Sequence, residues 1–442
     1  MPDSNTVVTS QGYFSRIGGS IKGIGGGLLL FIVAFPLLFW NEGRAVRRQK
    51  TLQTGAKSVI SVSADKVDPA NQDKLVHFTG KTVTADVLND MVFQVSANAI
   101  KLVRKVEMFQ WVEGSTTKTE KKVGGSEQRT TTYTYATQWA ANAIDSSQFN
   151  IPQGHQNPPM PFKEENYSAK NVTVGAFSIP ESMISSISGS QRLTFDEASA
   201  APVLTAFPNA YRLIDGSGYY LAAANAQGVP TGCAPRAANV AQTVEAVVNA
   251  VVTKTQDAVS QAAAQTGTQV ATAVTGTSAT RAPVVGDMRV TFLIVPQQTD
   301  VSIIAQQVGN SLAAYVTPTG SIQMLSSGVR SAEEMFQSAE KGNKMMTWLL
   351  RLIGFLVMYG GLRMVLGPLD VLADVLPFLG SVMRIGTGLV SFLIAAPCTL
   401  VTVAIAWIVY RPVLAIILLV IAAALIFLLF KKRQSGQAPA SC

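Results

Sequence analysis

Trp348-Leu-Leu-Arg-Leu-Ile-Gly-Phe-Leu-Val-Met-Tyr-Gly-Gly-Leu-Arg363 opens the last fifth of this chain, and a nearly continuous apolar run from Ile385 to Phe430, broken only by Tyr410-Arg411-Pro412, closes it. A soluble core helix seldom stays apolar beyond about a dozen residues, whereas crossing a bilayer takes about 20. The region therefore reads as lipid-solvated, and all that precedes it as tethered to a membrane. Residues 345-366 form one span, with Arg351 and Arg363 near its ends, where long stems reach outward. Residues 385-409 form a second, kinked at Pro397, and 413-430 a third, followed by a basic tail at 431-442. Between the first two, Leu369, Leu372, Leu376 and Leu379 share a face opposite Asp370 and Asp374, so 367-384 is expected to lie in the interface as an amphipathic helix.

Working outward, a further apolar segment covers 21-40, after an N-terminal tail at 1-20. Gly19, Gly23 and Gly27 recur at intervals of four, the small-xxx-small spacing that lets membrane helices approach closely; a flexible glycine lead-in is the plainer reading. No small-residue cleavage site follows, so the segment is a retained signal anchor. Trp40 sits at headgroup level. The four spans place both termini on one side, and Lys431-Lys-Arg433 assigns that side to the cytoplasm, against the pull of Arg44 to Lys50.

The remaining 41-340 is expected to be a β-rich α+β extracytoplasmic domain between spans one and two. Lys74 to Thr84, Ile100 to Val112 and Thr131 to Trp139 alternate or are β-branched, and the last two read as a hairpin with a long solvated loop from Gly114 to Arg129. The Lys118-to-Lys122 charges are then a solvated tip. The prolines between Ile151 and Pro161 exclude helix and sheet interior. Sequons at Asn166 and Asn171 could accept glycans in a eukaryotic lumen. Residues 237-280, rich in Ala, Val, Thr and Gln, carry a helical stripe, and strands resume from Gly286. Ser331-Ala-Glu-Glu334 has the form of a capping box opening the helix that enters the membrane.

With 48% hydrophobic and 14% charged residues, the chain is poorer in charge than a soluble average of about 25%. Its net charge of +8 suits anionic headgroups, and no basic run interleaved with aromatics points to nucleic acid. Cys233, Cys398 and Cys442 make no metal or redox pattern, and His77 and His155 join no ligand cluster. The chain carries no phosphate loop, His-Glu-x-x-His or nucleophile elbow. The acidic pairs Glu333/Glu334 and Asp370/Asp374 could serve acid–base chemistry or bind a cation, but capping and interfacial roles explain them. No cofactor or metal is expected.

Several motifs together resemble the LUMA (transmembrane protein 43) family: Asn41-Glu42-Gly43-Arg44-Ala45, Tyr133-x-Tyr135-x-x-x-Trp139, Gly154-His155-Gln-Asn157-Pro158, Gly286-Asp287-x-Arg289-Val-x-Phe292, Ser331-Ala-Glu333-Glu334-x-Phe336 and Trp407-x-x-Tyr410-Arg411-Pro412. The likeness runs from about residue 30 to 430 and leaves out 237-280, which looks like an insertion. It implies four spans, a large extracytoplasmic domain, self-association and a role in membrane organisation. Residence follows the source, a bacterial inner membrane, or the endoplasmic reticulum and inner nuclear membrane of a eukaryote; the insertion inclines towards bacteria.

The expectation is a non-enzymatic, homo-oligomeric scaffold that contacts membrane lipids and an unidentified membrane or extracytoplasmic protein. A transporter or channel component is the alternative. A membrane hydrolase comes third, and would need the histidines or acidic pairs to converge in one pocket.

Overall fold

The computed structural model describes residues 4–224, 226–234, 280–375, 377–413 and 416. Three helices dominate it: α1, Tyr13–Ser58; α2, Ala332–Ala373; and α3, Pro377–Tyr410. All three contain a stretch long and apolar enough to cross a membrane. Their outward residues, such as Leu29, Ile32, Leu352 and Leu393, are exposed, as lipid-facing positions should be. The chain is thus an integral membrane protein with three described candidate spans. The expected fourth span, 413-430, lies outside the described residues except at its first positions, as does the basic tail.

α1 and α2 are antiparallel and in close contact. A methyl on Gly27 would lie 2.6 Å from the Gly361 carbonyl oxygen, and one on Gly354 would lie 2.5 Å from Leu38. Further along, Asn41 reaches Thr347, and Gly55 lies against Ile322 and Phe336. Both helices outrun their apolar stretches: α1 continues through Arg44, Arg47 and Lys50 to Ser58, where strands were expected from about residue 51. Leu, Lys, Arg, Gln and Ala there are good helix formers, and Leu52 is buried against Ile322 and Phe336.

The expected interfacial helix at 367-384 is divided. α2 carries on to Ala373 and α3 begins at Pro377, with Asp374 capping the first. Proline is pre-set for a helix's first turn and disfavours helical backbone just before it, so the break falls there.

The strands used below are β1, Ser4–Gln11; β2, Leu75–Val83; β3, Val95–Lys121; β4, Glu127–Ala140; β5, Gly218–Leu221; β6, Met288–Pro296; and β7, Asp300–Val308. One sheet runs β1-β4-β3-β6-β5 and ends on Ala210–Arg212; the other is built around the antiparallel pair β2 and β7. Their inner faces meet in one core that includes Phe78, Phe93, Leu102, Val106, Phe177, Val290, Phe292 and Ile303. Alternating burial along β3 and β6 follows from the two-residue period of a strand.

Two features differ from the expected hairpin. Gly114 to Arg129 is not a solvated loop: β3 and β4 stay paired from Met108 and Ala140 out to Lys121 and Glu127, leaving a short turn. The N-terminal tail adds β1 to this arm, with Ser4 opposite Thr134 and Gln11 opposite Glu127. The 237-280 insertion lies outside the described residues apart from Thr280.

Candidate functional site: two polar clusters bracketing the helices

Where α1 leaves its apolar stretch, Asn41-Glu42-Gly43-Arg44 meets the end of α3. Glu42, fully buried, accepts from Arg351 Nε at 2.6 Å and Nη2 at 2.9 Å, and from Trp407 Nε1 at 2.9 Å. The Arg351 guanidinium also stands 4.7 Å from the Trp348 ring centre and 5.7 Å from that of Trp407. A forked, aromatic-flanked arginine is well suited to holding a desolvated carboxylate.

Arg44 donates to Asn343, Asn41 and Thr347, while Asn41 donates to the Thr347 carbonyl. Gly43 makes room for Tyr410, whose ring would come within 2.6 Å of a methyl there. Arg411 donates to Gln49, and Pro412 follows it, exposed. A cavity of about 220 Å³ opens beside this cluster, lined in part by Gln49, Asn343, Lys344, Trp348 and Arg411.

At the opposite end of the helix pair, the tip of the β3–β4 arm is clasped. Arg16 donates to Asp374 at 2.6 Å and to the Gly125 carbonyl at 2.6 Å, and pairs with Glu127 at 3.3 Å. Lys121 also pairs with Asp374, Arg129 with Glu127, and the Gly124 amide donates to the Val375 carbonyl. Arg16, Glu127 and Asp374 are all buried. Lys121 is therefore part of a buried cluster, while Lys118 remains exposed beside Glu120.

In the β-rich domain the remaining motif residues interlock. His155 stacks on Tyr135 at 4.0 Å and meets Trp111 edge-on. Asn157 takes the place of a neighbouring strand: its side chain accepts from the Trp111 amide and donates to the Trp111 carbonyl. Gly286, at φ +96°, packs against Pro158. Arg289 stands 4.0 Å from the Trp139 ring centre.

Asp287, fully buried, accepts from Arg281, Tyr220 and the amides of Ala223 and Val284. Burial drives the Asp287 carboxyl upward, but these donors together outweigh it and hold the group below the usual carboxylate range. Burial pushes the neighbouring Cys233 thiol up to about 12, a value at which it is inert.

Of the small-residue positions, Gly27 lies in the α1–α2 contact, Gly23 only brushes Met364 at 4.0 Å, and Gly19 has nothing within 4 Å. Glu334 closes the capping box with Ser331, and Glu333 accepts from Gln337. His77 and His155 are tied to different carbonyls, those of Arg330 and Ile151. Asp370 accepts from Thr387, so the two histidines and the acidic pairs occupy separate places. Among the described residues no three His, Cys, Asp or Glu side chains are grouped to hold a metal. Arg16, Lys121 and Glu127 escaped sequence reasoning because they belong to segments that look like a tail and a loop.

A bundle of apolar helices with polar clusters at both ends, carrying a β-rich domain in the α1–α2 connection, defines a multi-span membrane protein. The family model for Transmembrane protein 43 matches residues 108–412, more than half of the chain, and the chain belongs to that family. It is 29% identical to mouse Transmembrane protein 43 over 420 residues, covering 92% of this chain and 89% of that protein. Against the human protein it is 28% identical over 422 residues, 93% of this chain and 90% of the other. The Drosophila melanogaster homolog is 24% identical over 403 residues, with 89% and 90% covered. No solved structure matches.

Proposed function

We propose that the protein is a non-enzymatic, homo-oligomeric scaffold that holds its β-rich domain at fixed height and orientation over the membrane to organise other membrane or extracytoplasmic proteins. The observation carrying this is the Glu42–Arg351–Trp407 junction. It ties three helices together where α1 and α2 pass unbroken from their apolar stretches into the domain. A hinge at that point would let the domain swing; a buried ion pair and two continuous helices oppose it.

Membrane lipids are partners in this reading. Lys344, Arg411 and the exposed Trp348 around the cavity at the span ends suit an anionic headgroup. The orientation that goes with it has four spans, both termini cytoplasmic and the domain extracytoplasmic, in a bacterial inner membrane or in the endoplasmic reticulum and inner nuclear membrane according to source. Expression in a eukaryotic cell reads this out, since the exposed Asn166 and Asn171 sequons gain glycans only in the lumen. The scaffold reading is tested by mass photometry in mild detergent: assemblies larger than one chain are expected, and strictly monomeric particles overturn it.

A further inference from the structure

The three-stranded arm of β1, β4 and β3 lies beside the apolar helices yet is polar on both faces. From Met108 to Lys121 it extends thirteen residues, about 43 Å at about 3.3 Å per residue. Its root is in the domain, beyond Glu42; its tip is clasped to Arg16 and Asp374 at the far end of the helix pair. Arg16 to Glu42 is twenty-six residues of helix, about 39 Å at about 1.5 Å per residue. The arm therefore runs the length of the apolar stretch of α1, past a hydrocarbon layer of about 30 Å.

Along that length one face carries Asn5, Thr9, Ser115, Thr117, Thr131 and Tyr133; the other carries Thr6, Thr116, Lys118, Thr130, Thr132 and Thr134. Residues 114–120 of β3 are exposed. Both edges are open: among the described residues, β1 has no outer neighbour, and beyond Trp111 neither has β3.

Open edges and hydroxyl-lined faces cannot face lipid, because each unsatisfied polar group in hydrocarbon costs several kcal/mol; only closure or a watery, protein-walled surround permits them. We propose that copies of this chain close around this arm, the β1 edge of one against the β3 edge of the next, so that the sheets line a water-filled lumen with the helices outside. The two edges are of similar length and belong to opposite sides of one sheet, so the contact is head-to-tail and closes as a ring. The lumen's chemistry is that of hydroxyls with scattered charges, suited to water and small hydrophilic solutes. This inference rests on the oligomeric scaffold and adds an aqueous interior to it.

The test uses full-length protein with Cys233, Cys398 and Cys442 changed to alanine, reconstituted in liposomes. Single cysteines at Thr116→Cys and Thr131→Cys, with lipid-facing Leu29→Cys as control, are challenged with a membrane-impermeant maleimide. Separately, a Thr6→Cys chain is co-expressed in turn with Ser115→Cys, Thr117→Cys and Thr119→Cys chains and oxidised. Labelling of Thr116→Cys and Thr131→Cys at least ten-fold faster than Leu29→Cys, with a disulfide between chains in one combination, is expected. Labelling as slow as Leu29→Cys in an oligomer overturns the lumen and leaves the scaffold standing. Fast labelling in an oligomer without any inter-chain disulfide overturns the edge pairing, and fast labelling of a strictly monomeric protein overturns both readings.

Discussion

Glu42 and Arg351, 309 residues apart in the chain, meet as a two-pronged ion pair with Glu42 fully buried and Arg351 nearly so. Breaking such a pair by removing one partner typically costs about 3–5 kcal/mol, because the charge left behind is buried and uncompensated, whereas replacing both by apolar groups is often neutral. Glu42→Leu is therefore expected to lower the thermal unfolding temperature in detergent markedly, and Glu42→Leu with Arg351→Met to recover most of the loss. A double variant as unstable as the single one would mean that the pair is not what holds the junction.

The α1–α2 contact makes an opposed pair of predictions. At Gly361 a methyl would sit 2.6 Å from the Gly27 carbonyl oxygen and 2.7 Å from the Phe31 amide nitrogen, so only backbone movement could admit it. Gly361→Ala should destabilise by about 1–3 kcal/mol, the usual range for overpacking. Gly19, on the same helix as Gly27 but with open space around it, should gain up to about 1 kcal/mol from Gly19→Ala through helix propensity alone. Equilibrium unfolding in mixed detergent micelles reads both signs, and loss at Gly19 as large as at Gly361 would contradict the assignment.

The clasp at the arm's tip is open to protease mapping. Asp374→Asn removes the carboxylate that Arg16 and Lys121 share. Tryptic cutting at Lys121, Lys122 and Arg129 should accelerate at least ten-fold, equivalent to a local opening made easier by about 1.4 kcal/mol. The domain's other tryptic sites should be unaffected. Unchanged cutting at the tip would show that the clasp contributes no hold.

Sequence patterning made the apolar helices legible because the need for about 20 apolar residues is a strong local constraint. It made the β-rich character legible through alternation in segments such as Met288–Pro296. The Ser331–Glu334 capping box could also be read, being complete within four residues. The arm could not: strands 114–121 and 127–135 are Thr- and Lys-rich, with neither apolar alternation nor a core face, so composition reads them as loop.

The same holds for Ser4–Gln11, which becomes a strand only because β4 offers it an edge. The polar clusters were half legible. Asn41 to Arg44 and Trp407 to Pro412 could be picked out as motifs, but nothing in the chain says that Glu42, Arg351 and Trp407 meet, since that depends on the antiparallel register of α1 and α2. Arg351 could be read only as a snorkelling anchor because its partner lies more than 300 residues away.

Asp287 provides a pH prediction. Burial pushes its carboxyl upward, yet the donors from Arg281, Tyr220, Val284 and Ala223 more than compensate, leaving it below the ordinary value of about 3.9. A group whose folded value is depressed binds fewer protons when folded than when unfolded. Its stabilisation is therefore fully present above the unfolded value and is lost as pH falls through the folded one. Asp287→Asn, which keeps the shape but not the charge facing Arg281, should be less stable than the parent at neutral pH by several kcal/mol. That gap in unfolding temperature should narrow as pH is lowered from about 6 towards about 3. A gap that stays constant across that range would mean that the Asp287 charge does not stabilise the domain.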